Sequence, residues 1–234
     1  TCKGDKTWFA VWSAIQYYVE YDKNNATSTH SMANSTHKYD VLKELSPNTY
    51  ERKFTVTYVY GYDGKENETV TATAAFVGWA GLPTGQIKFL DKESVINLAY
   101  INEDTVILYA KFNDAKVLLP NPTRDSHTFA GWRLDSTTIY QGNSEITPSS
   151  NITLTALWDI ITFDIIYNGN GNDAGTPPEK QVKDYDKNIV ISAAGTLSKV
   201  GHSFISWNTK PDGSGTSYAK GAPLPGPTAE DAIN

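Results

Sequence analysis

Apolar and polar residues alternate with a period of two along most of this chain. Tyr17, Val19 and Tyr21 fall on one face of such a stretch, as do Phe54, Val56 and Tyr58, and again Phe163, Ile165 and Tyr167. Alternation among aromatic and β-branched residues predicts strands buried on one face. Turn clusters separate these stretches: DKNNATS (22–28), GYDGKEN (61–67), NGNGNDAG (168–175) and PDGSG (211–215). Asn, Asp and Gly gather there because tight hairpin turns require positive φ. A helical pattern is confined to THKYDVLKEL (36–45) and KESVINLAY (92–100), which predict helices of two or three turns.

The strand pattern repeats. Phe-x-(Gly/Ser)-Trp occurs three times, as Phe76/Gly78/Trp79, Phe129/Gly131/Trp132 and Phe204/Ser206/Trp207. A second string, five residues with Ala at the centre and an aromatic at the end, occurs as Leu108–Phe112, Leu154–Trp158 and Trp8–Trp12. In the last two, the closing aromatic is followed five residues later by the next alternating strand, at Phe163 and Tyr17. Self-similarity of this kind indicates repeated supersecondary units. The expected organisation is a closing strand of a preceding repeat (1–12), a long first repeat (13–112), a short second repeat without a first hairpin (113–158), and a third repeat lacking its closing strand (159–234). On this reading the chain is a piece of a longer array, with an open sheet edge in the last repeat and strand exchange between chains as a consequence.

In Phe-x-Gly-Trp the two aromatics are three positions apart, so a regular strand would send them to opposite faces. Either both faces are covered, or a kink at the glycine redirects the Trp. Glycine inside a strand often marks a bulge. A small unit has a meagre core, and burying one such aromatic contributes about 2–3 kcal/mol. The Trp residues are therefore expected to fold the repeats, with Trp12, Phe112 and Trp158 closing them.

VGHSFISWNTKPDGSGTSY (200–218), PTRDSHTFAGWRLD (122–135), NITLTALW (151–158), DTVILYAKF (104–112) and the lead-in KVLLPNPTRDSHTFAGW (116–132) together resemble the Listeria–Bacteroides repeat family, which includes the internalin B-repeat. The resemblance spans essentially the whole chain; Ser206 departs from it where the family has Gly. It implies an α+β fold, mostly β: tandem small β-grasp-like repeats with short helices. It also implies a secreted or cell-wall-anchored bacterial surface protein, extracellular, with neighbouring repeats of the same polypeptide as partners. A stalk or adhesin module is the function expected. The alternative is a glycan- or host-protein-binding module that uses exposed aromatics, for which Tyr17, Tyr18, Tyr50, Tyr58, Tyr60 and Tyr62 supply candidates. Solvent-facing rings would favour the binding module, and buried rings the stalk.

Composition narrows the chemistry. A net charge of −6 without a basic cluster argues against nucleic acid. No apolar run reaches the roughly 18 residues that span a bilayer, so membrane insertion is not expected. The lone Cys2 excludes an intrachain disulfide. His30 and His37 lie in one polar segment without a third ligand nearby. Asp184, Asp186 and Asn188 imitate the start of a calcium loop, but Ile189 and Gly195 occupy its glycine and glutamate positions. The glycine-rich stretch at 169–175 leads to Pro177-Pro178 rather than to a helix, so it reads as a turn and not as a phosphate cradle. Glu66, Glu68, Glu103 and Asp104 sit in polar surroundings. No catalytic residue, metal or cofactor is expected, and the chain is read as non-enzymatic.

Overall fold

The computed structural model describes residues 4–226. By contact density the chain divides into two compact units, residues 1–120 with 132–155, and 121–131 with 156–234. Among the described residues every regular element is a strand. The expected α+β fold with short helices is therefore corrected to all-β, and a β-grasp arrangement is not confirmed. The stretch expected as a first helix contains β2 (Ser35–Lys38), a turn and β3 (Lys43–Glu44); the second contains β8 (Ser94–Val95). Both carry residues that a right-handed helix excludes: Asp40 at φ +58°, Lys92 at +57° and Asn97 at +52°. Each stretch instead gives its backbone to a partner strand, β2 to β1 (Gln16–Asp22), and β3 and β8 to each other. Non-local pairing overrides a weak local preference.

In the first repeat the main sheet runs β2-β1-β9-β6-β7, with β6 at Phe76–Ala80, β7 at Ile87–Phe89 and β9 at Asp104–Phe112. The central strand β9 lies parallel to β1 and antiparallel to β6. Alternation works as read: Tyr17, Val19 and Tyr21 of β1 point inward and are buried with Leu108 and Ala110 of β9.

The second sheet runs β12-β11-β14-β4-β5. Its strands are β4 (Arg52–Val59), β5 (Glu68–Ala74), β11 (His127–Arg133), β12 (Ile139–Tyr140) and β14 (Ile152–Ile160). The hairpin β4–β5 sits in sequence inside the first repeat, between β3 and β6, yet β4 pairs in parallel with β14. That hairpin is what the 113–158 stretch lacks in its own sequence, and its insertion is why the 13–112 stretch is long. The two repeats are interleaved. Alternation could locate β4 but not its partner, because a strand's pattern shows which face is buried and not what lies beside it.

Small ribbons complete the set: β10 (Val117–Leu118) with β13 (Glu145–Ile146), β15 (Thr162–Ile165) with β16 (Gln181–Asp184), β17 (Ile189–Val190) with β20 (Pro223–Leu224), and β18 (Trp207–Asn208) with β19 (Ser217–Tyr218). Residues 8–12, expected as a strand, form none in the single chain. Ile233 and Asn234, where the last closing strand was expected to begin, lie outside the described residues, as does Cys2.

The kink at the glycine is present. The β6–β9 register shifts between Phe76 and Gly78, and Gly78 and Gly131 adopt φ of +145° and +138°. The bulge turns Trp79 onto the face that Phe76 occupies, where the two rings meet edge to face at 5.0 Å. A Cβ on Gly78 would lie 2.6 Å from the Phe89 carbonyl oxygen and 2.7 Å from Ile87 Cγ2. Gly78→Ala is expected to lower unfolding stability by about 2–3 kcal/mol. Gly64→Ala, at a positive φ but in open space, costs about 1 kcal/mol or less. Urea titration of the two variants checks both.

Candidate functional site

One aromatic arrangement recurs in each repeat. In the first, Trp79 is fully buried against Tyr21 (4.9 Å between ring centres), Phe76 and Tyr50. In the second, Trp132 is fully buried against Tyr58 at 5.0 Å and Tyr60 at 5.4 Å. In the third, Trp207 contacts Tyr167 at 4.7 Å and Phe204 at 5.0 Å but stays half-buried. Tyr21 and Tyr58 come from the first strand of a hairpin, Tyr167 from just beyond β15, and each Trp from the Phe-x-(Gly/Ser)-Trp segment, so each contact ties two distant segments. Tilted and edge-to-face geometries suit the ring quadrupoles.

The closing aromatics extend two of these clusters, Phe112 onto Phe76 at 5.6 Å and Trp158 onto Phe129 at 5.3 Å. Trp12, expected to close a preceding repeat, is 88% exposed in this chain, as is Trp8 at 87%, with Phe9 and Val11 similarly bare. Of the Tyr residues named for a binding face, Tyr18 and Tyr62 are half-buried. Tyr17, Tyr50, Tyr58 and Tyr60 are buried.

Indole hydrogen bonding differs between the clusters. Trp132 Nε1 donates to the Pro120 carbonyl at 2.7 Å, and Trp207 Nε1 to the equivalent Ser192 carbonyl at 2.8 Å. Trp79 Nε1 is buried without a partner.

The titratable groups serve structure. Lys183 is 1% exposed, and its ammonium donates to the carbonyls of Asp184 (3.0 Å), Tyr185 (3.3 Å) and Lys187 (2.5 Å) above the Phe163 ring. In the turn that imitates a calcium loop, this ammonium takes the place among the carbonyls that a cation would take. Sequence reading did not single out Lys183 or its neighbour Val182. Val182 is 58% exposed. His30 and His37 do not converge: His30 bonds Thr49, while His37 bonds Ser35 and stacks on Tyr17. Burial and the nearby Lys43 push the His37 imidazole below its ordinary value.

Glu68, read as unperturbed, is held low by hydrogen bonds from Lys65 and Tyr60. Tyr60 in turn is pushed up to about 12, first by burial and then by Glu68. Among the described residues no three His, Cys, Asp or Glu side chains are placed to hold a metal ion. Among the described residues no helix is long and apolar enough to cross a membrane.

Two shallow clefts belong to the first unit. One, of about 600 Å³, is lined by Tyr140, Gln141, Glu145 and Ile146 among others. The second, of about 450 Å³, is lined by Trp12, Ser13, Ala14, Ile15, Tyr39, Asp40 and Tyr100. Neither gathers groups suited to catalysis. The second does place exposed aromatics beside a carboxylate.

A family model described as the Listeria–Bacteroides repeat domain matches residues 101–157 and again 163–229. The chain is also similar to two proteins of Evansella cellulosilytica. One carries the provisional name of a membrane protein and is 35% identical over 102 residues, 43% of this chain and 15% of the relative. The other carries the provisional name of a Gly-rich membrane protein and is 34% identical over 109 residues, 43% of this chain and 13% of the relative. The matched span is thus a small part of each relative. No solved structure matches.

Two expectations follow from the clusters. Trp132→Phe removes a made hydrogen bond and strands the Pro120 carbonyl, whereas Trp79→Phe removes an indole without a partner. The first is expected to cost about 1–2 kcal/mol more than the second in chemical denaturation. The raised Tyr60 value means that the folded state holds this proton more tightly than the unfolded chain does. Its contribution is fully present below the ordinary tyrosine value of 10.0 and is lost as pH rises towards about 12. Ultraviolet titration should show Tyr60 and Tyr58 among the tyrosinates that appear late, and Tyr60→Phe should remove one of them.

Proposed function

Since the chain belongs to the Listeria–Bacteroides repeat family, we propose that it is a non-enzymatic repeat segment of a secreted or cell-wall-anchored bacterial surface protein, acting as a stalk or adhesin module. The observation that carries this reading is where the aromatics go. Trp79, Trp132 and their tyrosine partners are spent on holding strands together and leave no stacking platform on those sheets. Arrays of small modules give serial, locally stabilised spacers, because each unit's stability rests on itself and its neighbours. The family and the names of the two relatives support a place at the cell envelope.

A second reading has one specific observation behind it: the cleft with Trp12, Tyr39, Asp40 and Tyr100 has the mix of rings and polar atoms that sugars stack upon. The test pairs limited trypsinolysis with a glycan-array screen of the intact chain. A spacer predicts a resistant chain and no saturable glycan binding. Saturable binding that Tyr100→Ala lowers more than about tenfold would replace the spacer with the binding module.

A further inference from the structure

The two main sheets have four edge strands, and three of them are blunted. β2 has four residues and ends in Lys38. β7 has three, with Lys88 at its centre and a register shift beside it. β12 has two. Short strands, lysines and bulges keep a sheet edge from pairing with another chain.

β5 has none of these devices. It runs for seven residues, Glu68 to Ala74, without Pro, Gly or Lys, and pairs with β4 in unbroken register from end to end. Among the described residues β4 is its one neighbour. The far side of such a strand offers a row of backbone donors and acceptors to another strand. Thr69, Thr71 and Thr73 are exposed on one face, while Ala72 and Ala74 are buried on the other.

We propose that β5 pairs antiparallel with β5 of a second copy of this chain, about a twofold axis at Thr71, so that the two sheets join edge to edge. This register pairs all seven residues, and moving the axis to Val70 or Ala72 leaves residues at the ends without partners. Thr71 meets its own counterpart, Thr69 meets Thr73, Val70 meets Ala72, and Glu68 meets Ala74. Thr–Thr pairs across strands are favourable, and no like charges meet.

Charge is what points to a second copy. Glu68 is the one charged residue of the edge. The Ala74 that it meets lies beside Arg52 of β4, whose Nε is buried without a hydrogen-bond partner. Glu68 already accepts from Lys65, and a carboxylate has further lone pairs to offer. The acidic start of one β5 thus comes toward the basic start of the other copy's β4, and the twofold makes this match twice. A foreign strand has no reason to supply it at both ends. Because the axis exchanges identical edges, the contact closes at two copies.

Sedimentation of the intact chain from about micromolar to about millimolar tests this. The mass is expected to rise from 25.8 kDa to twice that value and to stop there. Thr71→Lys and Thr71→Glu each set like charges against one another at the axis, and each weakens association at least about tenfold. Mixing the two variants restores a dimer, because Lys then stands opposite Glu. Thr55→Lys, on the same face but one strand inside, leaves association within about threefold. Thr71 and Thr55 are exposed in the single chain, so neither change threatens its folding. A monomer at every concentration overturns the proposal, as does growth beyond two copies. Single variants that dimerise like the parent, or a mixture that stays monomeric, overturn it as well. A monomer whose amides at 68–74 are slowed by an added threonine–valine hexapeptide assigns the edge to a foreign strand, which also overturns it. The readout is mass, so the result stands apart from the spacer reading, which protease resistance and glycan binding test.

Discussion

Everything in these sheets depends on a tryptophan being turned to the wrong side of its strand. A regular strand sends residues three apart to opposite faces. At Gly78 and Gly131 the backbone takes a φ that side chains rarely tolerate, and at Gly78 the bulge brings Trp79 onto the face already held by Phe76. The ring then reaches a Tyr on a strand far away in sequence. In β6 the glycine has a second duty, because the Phe89 carbonyl and the Ile87 side chain fill the space where a Cβ would stand.

These contacts are long in sequence. β1 pairs with β9 from Tyr17 to Asp104 onward, and β4 pairs with β14 from Val56 to Ile152 onward, so neither sheet closes until its last strand arrives. Parallel pairing requires such crossovers. Interleaving adds to this, because the hairpin at 52–74 is made before the first sheet is complete. The closing strand is thus the element on which burial of the Trp cluster waits.

Polar chemistry follows the same logic of internal use. The Lys183 ammonium satisfies three carbonyls in one turn, and the Tyr60 hydroxyl and Lys65 satisfy Glu68 in another. Groups that would look reactive by burial or shifted acidity are consumed by hydrogen bonds within the fold. The exposed apolar surface at residues 8–12 is the exception.

The sequence by itself determined the repeat and the buried faces of its longest alternating strands. Tyr17, Val19 and Tyr21 are inward as their alternation required, because a period of two needs only the local backbone. Phe-x-Gly-Trp left two geometries open, both faces covered or a kink at the glycine, and the β6–β9 register shift chose the kink. Tertiary structure decided what no local pattern contains. It made strands of two stretches with helical spacing, because partners at a distance claimed their backbone. It also gave the hairpin at 52–74 to the second sheet and buried Lys183. In each case the outcome turned on which segment lay alongside, and alternation fixes a face without naming a neighbour.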